Sequence, residues 1–243
     1  MAFYPQVETY TKDTAYLLEM LGLFKQECLD YLERQPDFPE GYDVAKGWSR
    51  ALDDGRACVT QFPHGRASTA GFLLGQAFHD IRVGQQSELP SKELHFVGFF
   101  GEKPAGVKQE MVDLVTKVND SLMVQLSSHP DILLYGSAEV IEREGDFYNL
   151  VVMRNEAAGQ HWKGGSLHIN EAVNNLSPKY YTTVRIHTGV LPDGLDSKEF
   201  LLKRSVFLDY RAHQKDPNAP IQREVKLWEN LPASSVEGDD RNQ

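Results

Sequence analysis

The sequence predicts an α+β fold whose C-terminal part is a β-α-β-β-α-β unit between residues 93 and 192. Strand-like and helix-like hydrophobic patterns alternate in that order along this segment. A charged, glycine-containing turn at 143–146 separates the two middle strands, and prolines or glycines stand at the other boundaries. This element order is the split β-α-β arrangement of ferredoxin-like folds.

The first strand and helix of the unit have the clearest patterns. Residues 93–101, ELHFVGFFG, are mostly apolar and aromatic and end at Gly101, which predicts a buried strand. From Val107 to Leu126 apolar residues recur at steps of three and four, which predicts an amphipathic helix. The sequence His-Pro-Asp at 129–131 ends that helix.

The second half of the unit begins with a hairpin. Residues 132–142 and 147–153 are strand-like on either side of the turn at 143–146. Residues 156–176 predict a helix that Gly164-Gly165 interrupts, and 180–191 predict a closing strand rich in β-branched and aromatic residues.

The remainder of the chain suggests a repeat of this plan and a tail. A helix at about 12–34, a hairpin around Asp53-Asp54-Gly55 and a second helix at about 67–81 predict a degenerate ferredoxin-like half over 1–92. Its antiparallel sheet is expected to pack face to face on that of the second half, 93–211, and to enclose a cavity. Residues 212–243 are expected to form a tail whose last ten or so residues are disordered. Trp228 and Leu231 are expected to anchor part of this tail to the folded domain.

Composition limits the partners and the compartment. The 243 residues carry 35 acidic and 25 basic side chains, a formal charge of −10, which disfavours nucleic acid and anionic membrane surfaces. The two cysteines, Cys28 and Cys58, are far apart, which excludes a disulfide framework and a cysteine zinc site. No apolar run approaches the ~18–20 residues of a membrane span. The first residues lack a signal-peptide pattern. We therefore expect a cytoplasmic protein with a small-molecule substrate, and homo-oligomer formation stays open.

The helical segment HWKGGSLHINEAV, from His161 to Val173, has two interpretations. Gly164 and Gly165 lie one turn before His168 and would let a planar cofactor approach the helix while the imidazole reaches its metal. Alternatively, the glycine pair is a turn between two short helices, Ser166 caps the second helix, and His168 is an ordinary polar residue.

The closing strand places Arg185 and His187 on one face and Val184 and Ile186 on the other. The polar pair therefore faces either solvent or a polar-lined cavity. The sequence contains none of four common site motifs. These are the motifs for dinucleotide binding, a phosphate-binding loop, a nucleophile elbow and a zinc-protease helix.

The segments GSAEVIEREGDFYNLVVMRNEAAGQHWKGGSLHINEAV and YYTTVRIHTGVL together resemble the C-terminal part of the haem-containing aldoxime dehydratases. The hairpin GWSRALDDGRACVTQFP resembles that family's N-terminal hairpin. The resemblance implies a tandem ferredoxin-like fold of the dimeric α+β barrel type and a haem b cofactor. It implies that His168 is the iron ligand with Trp162 upstream, and that His187 is the distal acid–base residue. In that case Gly164 and Gly165 would lie against the haem, and Arg185 would stabilise developing negative charge from the face that it shares with His187.

The resemblance implies dehydration of an aldoxime to a nitrile. The family's distal serine and arginine fall on Phe99-Phe100 and Thr60-Gln61 here, so a haem reaction on another N–O, N–N or peroxide substrate is a variant. Two alternatives stay open: a cofactor-free monooxygenase of the antibiotic-biosynthesis type that uses Trp162 and the cavity, and a non-enzymatic protein that binds haem or another small ligand.

Overall fold

The computed structural model describes residues 7–34, 48–51, 58–64, 67–74, 93–127, 129–140, 146–163 and 167–228. The helices are α1 (Val7–Arg34), α2 (Gln109–Ser127), α3 (Glu156–Lys163), a π-helix (Leu167–Leu176), α4 (Ser177–Tyr180) and α5 (Arg211–Lys215). The strands are β1 (Trp48–Ala51), β2 (Cys58–His64), β3 (Ala67–Leu74), β4 (Leu94–Glu102), β5 (Ile132–Val140), β6 (Asp146–Met153), β7 (Thr183–Leu191), β8 (Leu201–Asp209) and β9 (Gln222–Leu227).

The described strands form one antiparallel sheet in the order β1-β2-β3-β5-β6-β4-β7-β8-β9. Its centre, β5-β6-β4-β7, has the strand order of a ferredoxin-like unit, and α2 and the π-helix supply the two crossovers. The predicted α+β class and the predicted β-α-β-β-α-β order are therefore confirmed. Among the described residues, no helix is both long and apolar enough to cross a membrane.

The predicted hairpin of the second half is also confirmed. Strands β5 and β6 pair antiparallel from Ile132↔Met153 to Val140↔Asp146. Most of the turn, residues 143–145, lies outside the described residues. The division of the chain at residue 92 stays a prediction.

The first half differs from the prediction after its first hairpin. Helix α1 is present, and β1 pairs with β2 as expected around Asp53-Asp54-Gly55, which lie outside the described residues. Residues 67–74, however, form β3 rather than a helix and pair with β5. Without β3, the edge of β5 would present a row of unpaired backbone N–H and C=O groups. Hydrogen bonding to these groups outweighs the local helical preference of residues 67–74. Strands β1–β3 therefore extend the sheet of the second half instead of forming a second sheet that faces it.

The beginning of the predicted tail belongs to the fold. Residues 211–215 form α5, and β9 pairs with β8 over six residue pairs. The Trp228 backbone N–H donates to the carbonyl of Lys203 at 3.0 Å, as the predicted anchoring role of Trp228 requires. Leu231 and the rest of 229–243 lie outside the described residues.

Helix α1 packs closely on one face of the sheet, which we call the α1 face. Its buried residues recur at helical spacing, from Leu17 through Leu21 and Phe24 to Cys28. Glycines in the strands beneath allow this approach. A Cβ at Gly136 of β5 would lie 2.5 Å from the Phe24 ring.

We expect Gly136→Ala to lower the free energy of unfolding by about 1–3 kcal/mol, because the added methyl group overfills the contact with Phe24. The matched control is Gly22→Ala on the exposed side of α1, where a Cβ meets nothing within 4 Å. That change should raise stability by up to about 1 kcal/mol through helix propensity. Urea unfolding followed by circular dichroism measures both, and a Gly136→Ala protein as stable as wild type would contradict the packing described here.

Candidate ligand-binding cavity

A cavity of about 610 Å³ lies on the other face of the sheet, beneath α2 and the π-helix; we call this the cavity face. Apolar side chains form most of its walls. Those from the strands include Val97, Val151, Val184, Ile186, Val206 and Leu208. Those from the helices include Val115, Val118, Leu122, Ala172, Val173 and Leu176. A cavity of this size and character suits a small molecule with an apolar body.

The π-helix forms one wall of the cavity and ends at a proline. It runs for ten residues, whereas π-type hydrogen bonding is ordinarily confined to a single turn and is frequent at functional sites. Pro178, at the start of α4, has no N–H to donate back along the helix. The Ser177 hydroxyl adds a hydrogen bond to the carbonyl of Ala172 at 2.8 Å, five residues earlier. The wider helix thus stays hydrogen-bonded while it presents Ala172 and Val173 to the cavity.

Polar groups lie together at one part of the cavity. The buried Tyr135 hydroxyl of β5 donates to Asn119 Oδ1 of α2 at 3.1 Å, and Asn149 of β6 lines the same cavity. Burial raises the pKa of Tyr135 to about 12, although hydrogen bonds with Ser137 and Asn149 oppose the rise. Tyr135 is therefore a neutral hydrogen-bonding group at ordinary pH. Its bond to Asn119 Oδ1 leaves the amide NH₂, which has no partner among the described residues, to donate to a bound molecule.

These three residues were missed by the sequence interpretation. Asn119 falls on the apolar stripe of its helix, between Val115 and Leu122, and a polar residue on such a stripe is the signal that could have identified it. For Tyr135 and Asn149 the sequence indicates only that they belong to two predicted strands.

Arg185 and His187 point to the α1 face, away from the cavity. Arg185 donates to both carboxylate oxygens of Asp13 on α1, from Nε at 2.7 Å and from Nη2 at 3.0 Å, and its Nη1 donates to Glu102 at 2.7 Å. The predicted common facing of Arg185 and His187 is confirmed. Neither expected environment is found, however, because both side chains are buried beneath α1 rather than facing solvent or a cavity.

His187 connects Asp13 to the C-terminal strands. Trp228 Nε1 donates to Ser205 Oγ at 2.9 Å, so the Ser205 O–H is available to donate to His187 Nδ1 at 2.7 Å. His187 Nε2 then carries the proton and donates to Asp13 Oδ2 at 3.0 Å. Ser205 and His187 are both 0% exposed, so a substrate has no path to this hydroxyl, and the contacts indicate a structural role.

The Asp13 carboxyl makes the stability of the fold sensitive to acid. Burial would raise its pKa, but the hydrogen bonds from His187 and Arg185 and the charge of Arg185 outweigh burial and hold the pKa below its usual range. The stabilisation is therefore complete above about pH 4, the range of an unfolded aspartate, and is lost as the pH falls through the lower folded value.

We expect the wild-type free energy of unfolding to fall steeply below about pH 4, and more steeply than that of Asp13→Asn, which has no proton to gain at this position. Urea unfolding at a series of pH values measures both slopes. Equal slopes for the two proteins would show that Asp13 does not contribute to the acid dependence.

Two of the four predicted cofactor-binding residues belong to described helices. His168 is in the second position of the π-helix and Trp162 is in α3, but the structure does not describe their side chains. Gly164 and Gly165 lie outside the described residues, between the two helices. The segment that carries His168 therefore borders the cavity, whereas His187 and Arg185 do not.

Comparison with known proteins gives structural similarity alone. No family model matches this chain, and no curated protein matches it. A protein from Shewanella oneidensis shares 8% identity with a TM-score of 0.34, covering 42% of this chain and 94% of its own. A mutant of SnoaB, a cofactor-independent oxygenase from Streptomyces nogalater, shares 12% identity with a TM-score of 0.31, covering 41% and 91%. A candidate monooxygenase from Lactobacillus acidophilus NCFM shares 10% identity with a TM-score of 0.35, covering 73% and 91%.

The prediction of haem b, with its iron on His168, is wrong. The distal role that the resemblance implied requires His187 and Arg185 to face a group held against the π-helix, but both are bound to Asp13 on the opposite face of the sheet. In the parts of the chain that the structure describes, no group of three or more His, Cys, Asp or Glu side chains is placed to hold a metal ion.

Proposed function

We propose that this protein binds a ring-containing, apolar small molecule in the cavity and oxygenates it with O₂ without a cofactor. The observation that supports this proposal is the apolar cavity of about 610 Å³ with the polar group of Tyr135, Asn119 and Asn149 in its wall. The apolar walls bind the rings, and the amides orient the substrate's oxygen atom.

The chemistry requires a substrate that supplies its own electrons. Such a substrate is a cyclic ketone with an acidic methylene group, which loses a proton to give an enolate. The enolate carbon bonds to O₂, and the resulting peroxide loses water to leave a carbonyl, so that a CH₂ group and O₂ become a C=O group and H₂O. One oxygen atom enters the product and the other enters water.

The cavity residues assist this reaction by stabilising the enolate. The Asn119 NH₂ group and the amide of Asn149 can donate to the enolate oxygen, and this interaction strengthens as negative charge develops. The side chains described as lining the cavity include no Asp, Glu or His, so water accepts the proton from an already acidic substrate. Exclusion of bulk water from the apolar walls strengthens the remaining hydrogen bonds to the anion.

The test is oxygen consumption with anthrone, a tricyclic ketone with an acidic methylene group, after treatment of the full chain with a metal chelator. We expect one O₂ consumed per quinone formed, well above the rate in buffer. Asn119→Leu should lower the protein-dependent rate by about a hundredfold, because it removes one donor to the enolate, and should leave binding of a neutral ring molecule within about twofold. An unchanged rate in this variant would contradict the role of Asn119.

A second function is favoured by the same lack of Asp, Glu and His among the described lining residues. A protein that only binds a small molecule needs the apolar walls and the amides but no proton acceptor. Tight binding of ring molecules with no protein-dependent oxygen consumption would support this function over the enzymatic one.

A further inference from the structure

Two arginines stand at the cavity with no carboxylate partner among the described residues. Arg204 of β8 and Arg223 of β9 both line the cavity and are both exposed. Neither takes part in any ion pair within the described part of the chain, whereas Arg185 and Arg211 are bound to Asp13 and Asp209. The chain has ten more acidic than basic side chains. Two adjacent strands nevertheless direct positive charge, with no counter-charge in the described part of the chain, to an apolar cavity.

The strand register places these arginines at the two ends of an apolar strip. Arg204 pairs with Leu227 and Leu208 pairs with Arg223, so both arginines lie on the cavity face. Between them lies the pair Val206↔Val225, and about 13 Å of strand separates the two positions. An apolar strip with a guanidinium at each end is suited to a ligand with an apolar body and an acidic substituent.

We propose that the ligand of this cavity is an amphiphilic carboxylate, whose rings occupy the apolar cavity and whose acid group pairs with the guanidinium at one end of the strip, Arg204 or Arg223. A guanidinium presents two parallel N–H donors that match the two oxygens of a carboxylate. The net negative charge of the protein repels anions in general, so local positive charge is what admits an anionic ligand here. This inference rests on the proposed function, because it assigns the substrate class of the same cavity.

The experiment compares two fluorescent probes with the same ring system, anthracenecarboxylate and the neutral anthracenemethanol, in titrations of the full chain. The double variant Arg204→Gln/Arg223→Gln should bind anthracenecarboxylate at least about tenfold more weakly than wild type, because charge-assisted hydrogen bonds are lost. Its affinity for anthracenemethanol should stay within about twofold of wild type, because the apolar walls are intact. Thermal unfolding of both proteins shows whether the variant is folded.

The matched control is Arg154→Gln/Lys198→Gln, which removes the same charge from exposed positions away from the cavity. It should leave both affinities within about twofold of wild type. If anthracenemethanol binds but the two double variants weaken anthracenecarboxylate equally, the carboxylate site is overturned and the proposed function stands. If neither probe binds wild-type protein, both the carboxylate site and the proposed function are overturned.

Discussion

Replacement of Asp13 by alanine is expected to lower the free energy of unfolding by about 3–5 kcal/mol. The change leaves the guanidinium of Arg185 buried without the carboxylate that accepts two of its hydrogen bonds, and it leaves His187 Nε2 without its acceptor. Among the described residues, Glu102, whose side chain is 40% exposed, is then the only carboxylate left to Arg185. A buried charge that has lost most of its compensation is among the most destabilising results of a single substitution. Urea unfolding at neutral pH, followed by circular dichroism, measures the loss.

The matched control is Asp196→Ala, which removes a carboxylate paired with Lys25 at the surface. The side chains of Lys25 and Asp196 are 38% and 50% exposed, so water replaces the lost partner and the cost should not exceed about 1 kcal/mol. Equal losses for Asp13→Ala and Asp196→Ala would show that the buried network does not hold α1 on the sheet.

Replacement of Ala172 by tryptophan is expected to weaken binding of anthracenemethanol by about a hundredfold or more. Ala172 lies on the π-helix and lines the cavity, so an indole at this position occupies the space that the rings of a ligand need. The lost affinity corresponds to about 3 kcal/mol, the contribution of burying one large apolar group. Fluorescence titration of the wild-type and variant proteins measures the change.

The control for this variant is Ala157→Trp on the exposed side of α3, which adds the same side chain outside the cavity. It should leave the affinity within about twofold of wild type. Ala172→Leu fills less of the cavity and should give an intermediate affinity. Wild-type affinity in a folded Ala172→Trp protein would place the ligand somewhere other than this cavity.

The ferredoxin-like unit could be predicted from the sequence because its signals are local. Alternation in 132–142 and 147–153 gives two strands, and the charged turn between them fixes their pairing. The helix from 109 to 127 follows from apolar residues at steps of three and four. Within these segments no long-range contact conflicts with the local preference.

Contacts between distant parts of the chain could not be predicted in this way. Alternation shows that Arg185 and His187 share a face, but Asp13, which covers them, is 172 residues away from Arg185. A strand face that is polar in sequence can therefore be buried when a distant carboxylate neutralises it. The strand at 67–74 is a similar case, because its partner β5 lies more than 55 residues further along the chain.

The most direct test of the proposed oxygenation is mass spectrometry of the product formed from anthrone under isotopically labelled O₂, with chelator-treated wild-type protein. Cofactor-free oxygenation predicts that the product formed in excess of the buffer reaction carries one labelled oxygen atom. Asn119→Leu should strongly reduce this excess, and added iron should not increase it. An excess that contains no label, that depends on added metal, or that is absent altogether would contradict cofactor-free oxygenation in this cavity.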